Sequence, residues 1–305
     1  MVMSRLRIGV AGVGHFGRYH ALKVAASERA TLVGVHDPNE ERAKAIGWES
    51  GAPDLGFDAL LAVADALIIA APAERHHVLA AAALRAGKHV LVEKPIAATL
   101  AEADELAALA AAHQCVLQVG HLERFSAAHA ALSGRLGAPL YIDAVRIAPF
   151  KARGTDVSVI LDLMIHDLDL ALAVGRGAPF AVEGEGARVA NDEIDEAEAE
   201  VSFDDGFVAR FRSSRVAAGP ERTMRLVFPS GELRIDFLTG AFENTTPFAL
   251  DEDFASTPDG RDRLGASLHA FLRAARGETS RPLADAVDGV RALDLALAVQ
   301  QAAGG

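Results

Sequence analysis

IGVAGVGHFGRYH, residues 8–20, joins an apolar run to a G-x-G-x-x-G pattern at Gly12, Gly14 and Gly17. Three glycines at this spacing, between a strand and a helix, do three separate jobs. Gly12 permits a tight turn, Gly14 lets the backbone approach a pyrophosphate, and Gly17 lets the helix pack close to the strand. The helix N-terminus, opened by His15 and Phe16, then stabilises the anion. Asp37 follows 20 residues after Gly17, just past the next apolar run. A carboxylate there accepts hydrogen bonds from the adenine ribose hydroxyls. The plainer alternative is an ordinary strand-to-helix turn, but the glycines and Asp37 together favour a dinucleotide site. Asp37 repels a 2'-phosphate, so NAD is expected over NADP, although Arg42 lies within about a helical turn.

Outward from this motif, short apolar runs at 6–11, 31–36, 66–70, 89–93 and 115–119 alternate with helical patterns such as 74–86 and 99–113. Strands this apolar are expected in a parallel sheet covered on both faces. After Gly120 the texture changes. One helical segment, 157–174, is followed from 180 to 237 by period-two strands. Ala197, Val201 and Phe203 fall on one face and Glu196, Glu198 and Glu200 on the other, answered by Arg210 and Arg212. Asp205-Gly206 and Ser230-Gly231 read as hairpin turns. Residues 240–262 read as loop, and 263–276 and 283–303 as closing helices. The expected fold is α/β. A Rossmann doubly wound parallel sheet spans 1–120, and 121–305 form a catalytic and oligomerisation domain of α+β type with a mostly antiparallel, open-faced sheet.

Composition narrows the class. With 305 residues, half of them hydrophobic, the chain can bury a sizeable core. Its 42 acidic against 30 basic residues, net charge -12, disfavour a nucleic-acid partner. The apolar stretch 8–13 after Arg5 and Arg7 is too short for a secretory signal, and no segment reads as a membrane span. The single cysteine, Cys115, reads as a structural thiol. A cytoplasmic protein is the expectation.

Chemistry concentrates at two further places. Glu93-Lys94-Pro95 ends a strand at the carboxyl edge of the parallel sheet, where such sheets bind ligands. Pro95 restricts Lys94 to extended backbone, giving its ammonium a defined direction; the alternative is a solvated lysine at a strand end. VILDLMIHDLDLAL, residues 159–172, places Asp162 and His166 four apart on one helix face. An imidazole can take a proton from an alcohol as hydride leaves its carbon, and a carboxylate within reach can orient it. A core histidine, or capping roles for Asp167 and Asp169, are the bland alternatives. Metal ligation by these carboxylates is disfavoured because H-E-x-x-H is absent.

Several segments together resemble the glucose-fructose oxidoreductase and myo-inositol dehydrogenase family. They are the glycine motif continuing into Arg18-Tyr19-His20, APAERHHVLAAAALRAGKHVLVEKP at 71–95, VGHLERFSAAHAAL at 119–132, the Asp162/His166 helix and the ending from LHAFLRAARGE onward. The resemblance implies active-site roles for Lys94, Asp162 and His166, and a cofactor-side loop at Pro72 and His76, with Glu93 beside it. It also implies a second domain that takes part in oligomer contacts, hence a homodimer or homotetramer. Many members carry paired glycines before the D-x-x-x-H helix and an N-R-R-like segment after the sixth strand. Here stand DVSVI at 156–160 and His121-Leu122-Glu123-Arg124-Phe125. That pattern is similar to the branch containing UDP-N-acetylglucosamine 3-dehydrogenases.

The expected activity is NAD-dependent oxidation of a secondary alcohol on a sugar or sugar nucleotide. Arg124, Arg135, Arg146, Lys151 and Arg153 face a single acid, Asp143, between 124 and 153, a local reversal of charge. Arg124, Arg146 and Arg153, with His121, are the candidate substrate contacts, since guanidinium groups bind phosphate oxygens in bidentate fashion. Solvated surface charges would look the same in sequence. A free polyol or inositol dehydrogenase is the enzymatic rival, and a non-enzymatic dinucleotide-binding redox sensor the rival of another class.

Overall fold

A computed structural model describes residues 5–126, 129, 139–151, 157–175, 177–250 and 256–304. The chain divides into two compact units. Unit 1 comprises residues 1–122 and 262–290, and unit 2 comprises 123–261 and 291–305.

In unit 1, five parallel strands stand in the order β2-β1-β3-β4-β5. They are β1 (Leu6–Ala11), β2 (Ala30–His36), β3 (Ala66–Ile69), β4 (His89–Val92) and β5 (Leu117–Val119). A parallel bridge from Val35 to Asp54 occupies the next position beyond β2. With it, the strand succession matches that of a dinucleotide-binding sheet. The connecting helices are α1 (His15–Ala25), α2 (Glu40–Ser50), α3 (Phe57–Val63), α4 (Ala73–Arg85) and α5 (Leu100–Ala112). Their ends are locally encoded. Asn39 accepts from the Arg42 amide to start α2, Gly51 closes it at φ 69°, and Thr99 with Glu102 forms a reciprocal cap on α5.

The first break between the units falls after residue 122, and unit 1 takes up the chain again at Asp262. Residues 262–290 belong to unit 1. The cause is packing: Leu268, Phe271 and Leu272 join the core of Ile8, Val10 and Ile68. Buried Gln118 also donates to the Ser267 carbonyl and hydroxyl at 3.0 Å.

Unit 2 holds a seven-stranded sheet in the order β12-β11-β10-β6-β9-β8-β7. Its strands are β6 (Tyr141–Ile147), β7 (Pro179–Ala187), β8 (Glu196–Phe203), β9 (Val208–Ser214), β10 (Glu221–Phe228), β11 (Gly231–Asp236) and β12 (Phe242–Asn244). All neighbours are antiparallel except β6 and β9. The alternation is as expected. In β8, Ala197, Ala199, Val201 and Phe203 are buried, while Glu198 and Glu200 stand opposite Arg212 and Arg210 on the outer face. A helix, α6 (Ile165–Val174), contributes Leu168, Leu170 and Ala171 to the core beneath the inner face. Residues 240–262 are not wholly loop, because they contain β12 and a short helix, α7 (Pro258–Arg261). Two helices close the chain, α8 (Arg263–Ala275) and α9 (Ala286–Ala302). Among the described residues no helix is long and apolar enough to cross a membrane.

Candidate active site

The glycine turn of unit 1 is built for close approach. Gly12 adopts φ +81°, and a Cβ there would stand 2.5 Å from the Ala71 amide nitrogen. At Gly17 a Cβ would meet the Gly12 carbonyl oxygen at 1.8 Å, so α1 can start so near the turn only without a side chain. Gly14, the N-cap of α1, has nothing within 4 Å of where its Cβ would be. That leaves backbone N–H groups open to a phosphate, with exposed His15 and Phe16 beside them. These features fit a pyrophosphate-bearing cofactor.

Asp37 accepts from the Val13 amide at 3.0 Å and from the Asn39 amide at 2.9 Å, and its side chain is 4% exposed. Its carboxylate therefore holds the glycine turn. Arg42 closes in at 3.3 Å on both oxygens and stays half exposed. Changing Asp37 to Ser removes the charge that repels a 2'-phosphate and releases Arg42 beside it. The expected result is a rise of about tenfold or more in the NADP-to-NAD ratio of kcat/KM. An unchanged ratio in paired cofactor titrations would show that discrimination lies elsewhere.

At the far end of β4, Glu93 is buried and its Oε1 lies 2.7 Å from His20 Nε2 of α1. Burial alone would raise the Glu93 carboxyl, but the His20 bond, with further pull from Lys94 and His76, holds it below the ordinary carboxylate value. Lys94 follows, half-buried, and the Lys94–Pro95 peptide is cis. His76 of α4 is buried with Nδ1 2.7 Å from the Pro95 carbonyl oxygen and Nε2 2.8 Å from that of Ala71. Burial, the largest influence, pushes its pKa down. Both ring nitrogens face protein carbonyls, so His76 ties together the loops after β3 and β4. Pro72 caps α4 in the first of those loops. His121 is buried immediately after β5.

In unit 2 the helix bearing the second candidate pair is not a uniform α-helix. Residues Ile160–Met164, with Asp162 among them, form a π turn, and α6 begins with Ile165 and His166. The simple four-residue α spacing expected for Asp162 and His166 is therefore replaced by a wider turn at Asp162. Such turns are frequent at functional sites. Asp162 and His166 are both half-buried.

The arginines require a correction. Arg146 of β6, 3% exposed, forks onto Asp167 at 2.8 and 2.9 Å and reaches Glu123 at 3.1 Å. Arg124 is buried in the same manner against Asp169, at 2.8 to 3.1 Å. Burial would lower the Arg146 pKa, but Asp167 and Glu123 outweigh it and hold the guanidinium charged. Neither arginine presents its fork as a substrate contact, because acids from a 3₁₀ turn (Leu122–Phe125) and α6 fill both. Arg153 and Arg135 lie outside the described residues. Asp167 and Asp169 thus anchor α6 from behind, in place of the capping or metal roles considered for them.

Two other residues had no sequence signal. Asp195, fully buried, accepts from the amides of Val189 and Ala190 and from Arg215 Nε at 2.7 Å. These bonds outweigh burial and push its carboxyl down to about 2. Arg215 also donates to the Val157 carbonyl at 2.7 Å, bracing the approach to the π turn.

Comparison with known proteins agrees with this picture. Residues 6–121 match the Gfo/Idh/MocA oxidoreductase model, an NAD-binding Rossmann fold, and residues 126–234 match the family's C-terminal domain. A UDP-N-acetylglucosamine 3-dehydrogenase of Acidithiobacillus ferrooxidans is 39% identical over 310 residues, covering 98% of both chains. A solved structure of such an enzyme from that organism has a TM-score of 0.88 at 38% identity, with 98% of each chain covered. A scyllo-inositol 2-dehydrogenase (NAD(+)) of Bacillus subtilis is 28% identical, covering 70% of this chain and 68% of its own. The chain belongs to the Gfo/Idh/MocA family of NAD-binding oxidoreductases.

Proposed function

We propose that the protein oxidises the 3-hydroxyl of UDP-N-acetylglucosamine. The observation that carries this reading is the end-to-end likeness, 39% identity over 98% of both chains, to a UDP-N-acetylglucosamine 3-dehydrogenase. NAD, when bound, supplies the hydride acceptor. Gly12, Gly14 and Gly17 hold its pyrophosphate, and Asp37 its adenine ribose. As the carbon loses hydride, His166 takes the hydroxyl proton, leaving a ketone. Asp162 orients and charge-stabilises the imidazole, and Lys94 donates a hydrogen bond to the reacting oxygen. With Arg124 and Arg146 committed to carboxylates, Arg153 remains the phosphate-side group in this reading.

The polar outer face of the seven-stranded sheet suits assembly into a homodimer or homotetramer, and the cytoplasm, with its NAD pool, suits the reaction. The decisive experiment follows NADH formation against UDP-N-acetylglucosamine, free N-acetylglucosamine, free sugars and inositols in parallel. The UDP-linked sugar is expected to exceed the free sugar in kcat/KM by about 10² or more, the scale of one or two charge-assisted phosphate contacts. Equal use of free N-acetylglucosamine or of an inositol would replace this reading with a free-polyol dehydrogenase. NADH binding without turnover on any of them would leave a redox sensor.

A further inference from the structure

The Glu93-Lys94-Pro95 element is gripped on both sides by buried histidines from different helices. His76 of α4 holds the Pro95 carbonyl, and His20 of α1 holds the Glu93 carboxylate. His20 is 1% exposed and has no part in the proposed chemistry. Its Nε2 faces a carboxylate oxygen and so carries the proton, while its Nδ1 has no hydrogen-bond partner among the described residues. Burying a histidine with one nitrogen unsatisfied carries a desolvation cost that packing does not repay. Packing alone would be served by an apolar side chain, since α1 already buries Ala21 and Val24 on the same face. The room beside Glu93 is also constrained, because a Cβ on Gly120 would stand 2.7 Å from Glu93 Oε2.

We propose that His20 is a positioning residue: its Nε2–H bond fixes the Glu93 carboxylate, and through it the end of β4 that carries Lys94. The inference rests on the reading of Lys94 as a group that acts on substrate. Because His20 lies on the helix whose first turn opens onto the phosphate-binding glycines, one rigid helix serves both the cofactor cradle and the lysine. Among the described residues, the charged and titratable groups that act most strongly on Glu93 are His20 from α1, its chain neighbour Lys94 and His76 from α4. Without the His20 bond, burial dominates and Glu93 takes up its proton at higher pH. A neutral Glu93 withdraws the negative charge beside Lys94, so the acid limb of activity moves upward in pH.

Two polar variants separate this role from simple packing. His20→Gln can place an amide N–H near the position of Nε2, whereas His20→Asn is too short to reach Glu93. The expected result is kcat within about threefold of the parent for Gln, and a loss of about tenfold or more for Asn. KM for NAD should change little in either. In the Asn variant the acid limb of the kcat profile should rise by about one pH unit or more. In cofactor-free protein with 13C-labelled glutamate, the Glu93 carboxyl resonance, assigned by its disappearance in Glu93→Gln, should titrate upward in the Asn variant and hold in the Gln variant. An Asn variant with parental kcat and profile, or a Gln variant as impaired as Asn, overturns the inference. Lys94→Met measured alongside keeps the two readings apart. Near-normal turnover there overturns the role of Lys94 and this inference with it, whereas an inactive Lys94→Met with an indifferent His20→Asn overturns the inference alone.

Discussion

Lys94→Met is expected to lower turnover by about 10² or more while leaving NAD affinity nearly intact. β4 is buried along Val90, Leu91 and Val92, and the exit of the chain at its carboxyl end is held by the His20 and His76 contacts. A lysine at that point sits on a fixed base, so its ammonium has a defined reach. Methionine keeps an unbranched, flexible stem of comparable bulk and removes only the charge and the hydrogen-bond donors. Loss of kcat at unchanged NAD affinity, read by quenching of NADH fluorescence, would place the ammonium in the chemical step. Near-normal turnover would remove Lys94 from the mechanism.

Arg146→Met is expected to destabilise the protein by about 3–5 kcal/mol, the cost of leaving buried carboxylates without their counter-ion. Asp167 and Glu123 are 2% and 5% exposed, and the guanidinium meets both of them. Urea denaturation reads the loss directly as a lowered midpoint. The opposite pattern has a clear meaning. A stability change within about 0.5 kcal/mol, the scale of a neutral surface substitution, joined to a raised KM for the nucleotide sugar, would return Arg146 to the phosphate-binding role first read from the charge pattern.

That reversal shows where sequence reading stops. Strands and helices around the glycine turn were legible because each carries its own local signal: apolar runs for β1 to β5, glycine geometry at residues 12 to 17, and capping residues at Asn39 and Thr99. The Glu/Arg alternation of β8 and β9 was legible for the same reason. Charge counting over 124–153 failed because the compensating acids are remote in sequence. Asp167 is 21 residues from Arg146, and Asp169 is 45 from Arg124. A count over 124–153 leaves out Asp167 and Asp169 altogether, and misses Glu123, the second partner of Arg146, by one position. His20 was visible only as a motif letter, since its meaning depends on Glu93, 73 residues away. The π turn at Ile160–Met164 leaves no periodicity by which it could be told from an α-helix.

The threading of each unit also bears on how the chain is made. β6 lies in mid-sheet, but its two neighbours, β9 and β10, begin only at Val208 and Glu221. During synthesis its edges must wait for about 60 to 80 further residues, on the order of several seconds at ribosomal speed. Unit 1 waits longer still. Its sheet is complete by Val119, yet Leu268, Phe271 and Leu272 of α8 arrive to cover the apolar surface of Ile8, Val10 and Ile68 only after every strand of the second sheet has been made. A nascent chain halted before Asp262 would thus expose both an unfinished core and the waiting face of a parallel sheet, the kind of surface that chaperones recognise.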